Sequence, residues 1–112
     1  MSVRHEVRLW VAQRATAAVL AFCVVVHLAT IIYAVRGGLT AAEILERTRG
    51  NAGLALFYAV FVLAAAIHAS IGLRNVAAEW LGWRGRSARF AVMFLSLLLA
   101  MLGLRAVWAV CA

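Results

Sequence analysis

Leu54-Ala55-Leu56-Phe57-Tyr58-Ala59-Val60-Phe61-Val62-Leu63-Ala64-Ala65-Ala66-Ile67-His68-Ala69-Ser70-Ile71-Gly72-Leu73 runs without a charge until Arg74. A helix needs roughly 20 predominantly apolar residues to cross about 30 Å of hydrocarbon, and this stretch supplies them. Two further runs, from about Trp10 to Val35 and from about Phe90 to Val110, meet the same requirement. The chain as a whole is 67% hydrophobic with a mean hydropathy of +0.99, far above the usage of soluble domains. The pattern predicts an all-α membrane protein with three transmembrane helices, over residues 10–35, 54–73 and 90–110. The 112 residues form one transmembrane domain. What lies between the spans is too short for a soluble catalytic domain.

All eleven positive charges are arginine, against four glutamates. Seven arginines (Arg4, Arg8, Arg14, Arg74, Arg84, Arg86 and Arg89) fall in or beside the amino-terminal arm and the second connection; Arg36, Arg47, Arg49 and Arg105 fall on the other side. The positive-inside rule then places the amino terminus inside and the carboxyl terminus outside. Topology accounts for the positive charge. With no soluble basic face to carry it, nucleic-acid binding is excluded. The first apolar stretch is too long for a cleavable signal peptide, and a retained helix is expected.

Trp10, Trp80, Trp83 and Trp108 fall at or just beyond the span ends, where indole rings favour the headgroup layer. In the first connection Thr40-Ala41-Ala42-Glu43 has the spacing of a capping box, which predicts a short interfacial helix starting at Thr40 on the outer side. The second connection, Trp80-Leu81-Gly82-Trp83-Arg84-Gly85-Arg86, reads as a glycine-rich turn. Cys23 and Cys111 lie far apart, and both are read as packing residues.

An ionisable side chain inside a span is a functional hypothesis by default, and His68 is one. Eleven residues make close to three turns, so Glu79 shares a face with His68, with Gly72 and Asn75 between them. The glycine leaves room for a flat, bulky group or for a close-packed helix. On the first span Thr16, Cys23, His27 and Thr30 share one face in the same way. With Arg14 and Arg74 marking one boundary, His27 lies about 20 Å in and His68 about 9 Å in. Two ligands of one iron must meet it at one height, so these two histidines do not share an iron. A bis-histidine haem at His68 would therefore take its second ligand from another polypeptide. The alternative for each histidine is a packing role, bonded to a neighbouring helix.

Gln13-Arg14-Ala15-Thr16 opening the first span, followed by His68-x-x-x-Gly72-Leu73-Arg74 and Glu79, resembles the cytochrome b membrane-anchor subunit of succinate dehydrogenase. Related fumarate reductase anchors share the three-helix plan, and the resemblance runs roughly from Trp10 to Val110. It implies that His68 is an axial ligand of haem b iron. It also implies that Arg14, with Thr16 and Arg74 nearby, lies by a quinone site next to the iron–sulfur subunit. The family commonly has His-Arg-x-Ser-Gly where this chain has Gln13-Arg14-Ala15-Thr16-Ala17, so Thr16 stands in for the serine. His27 resembles the mid-helix histidine of two-haem anchors, which implies a second haem there, or none.

The function implied is that of a haem b-binding anchor of succinate dehydrogenase, an enzyme of the tricarboxylic acid cycle, in a bacterial cytoplasmic membrane. Such an anchor docks the flavoprotein and iron–sulfur subunits, pairs with a second membrane-anchor subunit supplying the other haem ligand, and passes electrons to quinone. The chain itself carries no succinate chemistry, because that needs a flavin domain. Two alternatives are a haem-free anchor and a small membrane transport or interaction protein. Against transport, Arg105 is the one charge well inside a span, and it sits near enough to the end to snorkel outward.

Overall fold

The computed structural model describes residues 2–112 and is helical throughout its regular elements. Helix α1 spans Val3–Gly37, α2 Ala41–Thr48, α3 Ala52–Trp80 and α4 Arg86–Cys111. Three of these, α1, α3 and α4, are long and apolar enough to cross a membrane. Their identities match the three runs seen in the sequence, but α1 starts seven residues before Trp10 and α3 ends seven residues after Leu73. The physical reason is that a helix stops where something breaks it, and apolar composition does not decide that. The chain has no proline, and between Val3 and Gly37 it has no glycine to interrupt the ladder.

Three of the four helix starts carry a side-chain cap, and α4, which follows Gly85, does not. The Ser2 hydroxyl accepts from the His5 amide at 3.2 Å, and Asn51 Oδ1 accepts from the Leu54 amide at 3.0 Å. Thr40 caps α2 as its spacing predicts: its Oγ1 accepts from the Glu43 amide at 3.2 Å and donates to Glu43 Oε1 at 2.7 Å. Gly38, with φ at 116°, turns the chain out of α1.

Helix α3 stands in the middle, with α1 packed on one side and α4 on the other. Antiparallel to α3, α1 keeps a steady register: Gln13 lies over Gly72, Thr16 over His68 and His27 over Tyr58. Between α3 and α4 the closest approach is at Gly103, where an added Cβ would come within 2.6 Å of Val62. Buried positions are mostly small, among them Cys23, Ala64, Ala66, Ala77 and Ala88. This is how helices associate where lipid is as apolar as leucine: small side chains let backbones approach. Both cysteines are free and buried. The short α2 lies against the end of α4, tied there by the Thr48 hydroxyl donating to the Val110 carbonyl at 2.7 Å and the Gly50 amide donating to Cys111 at 2.8 Å.

The molecule is 49 Å along its longest axis, well beyond a hydrocarbon core of about 30 Å. Its helices therefore continue past the hydrocarbon. The arginine-rich ends of α1 and α3 frame the site described next.

Candidate functional site

Thr16 on α1 reaches His68 on α3, with Oγ1 3.2 Å from the imidazole Nδ1. The threonine hydroxyl has one proton, and its nearest acceptor is the Ala12 carbonyl at 2.8 Å, one turn back. With that proton engaged, the oxygen accepts from Nδ1–H of His68, and the lone pair of the ring falls on Nε2. An imidazole fixed in this tautomer and orientation is the form in which histidine binds a metal. The periodic face of Thr16, Cys23, His27 and Thr30 is the face of α1 turned toward α3.

Beyond His68, toward the arginine-rich end, α1 and α3 part around a cavity of about 500 Å³ whose lining includes Trp10, Gln13, Arg14, Arg74, Asn75 and Glu79. This is where the polar stripe below His68 leads. Arg14 and Arg74 come together there, as the sequence pattern groups them, while Thr16 is turned away to His68 and does not line the cavity. The Arg14 guanidinium lies 4.2 Å from the centroid of the Trp10 ring, a cation–π contact that holds it at the rim. The room that Gly72 opens is taken by Gln13, whose Nε2 would sit 3.4 Å from a Cβ placed there. Gln13 Oε1 is buried and has no hydrogen-bond partner.

His27 sits in a different setting. Its Nδ1 is 3.0 Å from the Tyr58 hydroxyl, and that hydroxyl is 3.3 Å from Thr30 Oγ1. The rings of Tyr58 and Phe61 meet the imidazole edge-on at centroid distances of 5.7 and 5.9 Å. Along α1 the two histidine clusters are eleven residues apart, and along α3 ten, which is about 15 Å of helix. Among the described residues no group of three or more His, Cys, Asp and Glu side chains converges on a common point.

A family model described as the succinate dehydrogenase/fumarate reductase transmembrane subunit matches residues 1–104. The chain belongs to that family. No curated protein and no solved structure matches it. As a succinate dehydrogenase/fumarate reductase transmembrane subunit it is a multi-pass membrane protein, and membership implies association with the other subunits of such a complex. Large apolar side chains such as Phe22, Ile32, Phe90, Phe94 and Leu97 stand exposed around the helices, as spans surrounded by lipid require.

Two residues of this transmembrane subunit escape a reading of its sequence. Tyr58 lies in the middle of an apolar run, and the one signal it offers is that a tyrosine hydroxyl in lipid must find a partner. Gln13 reads as part of a motif at the start of a span, and nothing in the sequence shows that it lies over Gly72. Both contacts depend on the register of α1 against α3, which is a property of the folded pair.

Proposed function

We propose that this chain is the haem b-binding membrane anchor of a succinate:quinone oxidoreductase, with His68 as an axial ligand of the haem iron. The observation that carries this is the Thr16–His68 contact, which orients the ring and leaves Nε2 to ligate. The residues fit the group. A bis-histidine haem would take two imidazoles, and of the two histidines within the spans the chain would offer His68, with His27 about 15 Å away along the helices. A second membrane-anchor subunit supplies the opposite ligand. When bound, the haem supplies one-electron redox chemistry whose potential depends on ligand and burial. The chain's part is to hold the ring, through Thr16, half-buried between α1 and α3.

The cavity between Arg14 and Arg74 takes the quinone headgroup. An arginine at its rim donates hydrogen bonds to a quinone carbonyl and favours the charge that develops on it during reduction. The flavoprotein and iron–sulfur subunits dock on the same side, in the cytoplasm of a bacterial cell, and the carboxyl terminus lies outside. For His27 a packing role is favoured by its own surroundings, since Tyr58 and Thr30 satisfy it locally and Phe61 packs on its ring.

The test is to substitute His68→Gln, purify the complex and record its reduced-minus-oxidised spectrum. The expected result is a complex that keeps its catalytic subunits and lacks the b-type band. An unaltered band would overturn the ligand assignment, and a chain that purifies with no dehydrogenase subunit would overturn the anchor role itself.

A further inference from the structure

Gln13 is the residue on the wall of the Arg14 cavity whose hydrogen bonding the protein leaves incomplete. Glu6, Arg14, Asn75, Glu79 and Arg84 on the same wall are exposed, and solvent satisfies them. Gln13 is half-buried, and its Oε1 is buried with no hydrogen-bond partner among the described residues. A buried acceptor in that condition is destabilising until a donor reaches it.

The register of α1 on α3 puts the amide there. Gln13 lies over Gly72, its Nε2 3.4 Å from where a Cβ would stand, while the Arg14 guanidinium turns back over the Trp10 ring. The terminal torsion of a glutamine is broad and two-fold, so half a turn exchanges Oε1 and Nε2 within the same packed position. Because Gln13 itself lines the cavity, such a turn presents Oε1 to a ligand without moving α1.

The two neighbours offer opposite chemistry. A guanidinium has five N–H donors and no acceptor, so Arg14 matches a carbonyl oxygen. Gln13 Oε1 is an acceptor, and a quinone carbonyl has no hydrogen to give it. Reduction changes this: two electrons delivered by the complex and two protons taken from water turn each carbonyl into a hydroxyl, which donates as well as accepts. The carboxylates of Glu6 and Glu79 also accept, but they are exposed, and a ligand hydroxyl there only replaces water. At Gln13 it satisfies an atom that nothing else satisfies.

On the reading of this cavity as the quinone site, we infer that Gln13 is the residue that recognises the reduced ligand, its Oε1 accepting a hydrogen bond from a quinol hydroxyl. Arg14 holds the carbonyl of the oxidised form, and Gln13 distinguishes the two. A glutamine with a purely structural role would have its carbonyl bonded to a neighbour.

The experiment assays the intact complex in detergent with a short-tailed quinone, using the matching quinol as product inhibitor. Gln13→Met keeps the length of the side chain and removes the acceptor. It should raise the inhibition constant of the quinol about fivefold, the worth of one hydrogen bond, and move the KM for quinone by less than about twofold. Gln13→Glu keeps an acceptor oxygen in either protonation state and should hold quinol inhibition near wild type. Thermal unfolding reads binding apart from turnover: quinol should raise the midpoint of wild type more than that of Gln13→Met. Without ligand, Gln13→Met should unfold no earlier than wild type, because it removes an acceptor that has no partner. A lower midpoint, or failure to assemble, would show Oε1 bonded within the protein and overturns the inference. A parallel rise in quinone KM and quinol inhibition constant, which makes Gln13 a wall residue only, overturns it too, as does no change in either. In that last case Arg14→Leu shows what has failed. If it depresses quinone reduction, the quinone site stands without Gln13; if it is also silent, the reading of the cavity falls with the inference.

Discussion

Gly103 and Val62 stand so close that a methyl group on the glycine would come within 2.6 Å of Val62 Cγ1 and 2.9 Å of Cγ2. Valine is stiff at χ1 and cannot swing away. Gly103→Ala would gain about 1 kcal/mol of helix propensity and lose about 1–3 kcal/mol to overpacking, so it should destabilise. Thermal unfolding of the purified complex should show a lower midpoint, with Val62→Ala restoring it in the double variant. A Gly103→Ala protein as stable as wild type would show that the helices part freely there.

Thr16→Val removes the acceptor from Nδ1 of His68 while keeping the shape of the side chain. A ligating imidazole that no longer donates its N–H is less basic, so the oxidised haem is less favoured and the midpoint potential should rise by a few tens of mV. Thr16→Ser should leave it close to wild type. Redox titration of the b-type band decides between these, and an unchanged potential in the valine variant would sever Thr16 from the haem.

Arg14→Leu should depress quinone reduction by about tenfold or more, the effect of losing one charge-assisted hydrogen bond. Succinate oxidation with an artificial acceptor should stay intact, because that chemistry belongs to other subunits. Normal quinone kinetics in an assembled variant would move the headgroup site elsewhere.

Tyr58→Phe and His27→Ala should leave haem content at one per complex while lowering stability by about 1 kcal/mol, the size of an interhelical hydrogen bond in lipid. Haem quantification of the two variants against wild type reads this directly. Two haems in wild type and one in His27→Ala would make His27 a ligand.

A reporter fused after Ala112 should be active outside the cytoplasm and silent inside it. The opposite result would reverse the proposed orientation, and with it the side on which the Arg14 cavity opens.

The three spans are legible in the sequence because hydrocarbon selects composition, and composition is what a sequence displays. The start of α2 at Thr40 is legible for a different reason, since a capping box is a local device contained in four residues. The face of α1 that carries Thr16, Cys23, His27 and Thr30 follows from helical period alone. Two kinds of information are absent. The ends of α1 and α3 overrun the apolar runs, because arginine, glutamate and alanine continue a helix as readily in water as in lipid. The pairings of Thr16 with His68, Gln13 with Gly72 and His27 with Tyr58 are set by the register between two helices. A shift of one turn would have exchanged every partner.

The spacing of the two histidine clusters also has an electrical meaning. They are separated by about 15 Å in a hydrocarbon core of about 30 Å, so an electron passed from the level of His68 to that of His27 would traverse about half of the membrane field. Each such transfer would exchange about 1.2 kcal/mol with every 100 mV of transmembrane potential. An electron that stops at His68, near the arginine-rich end, exchanges far less. With a haem held at His68 as proposed, the height at which Thr16 holds its histidine would set how strongly the redox reaction is coupled to the membrane voltage.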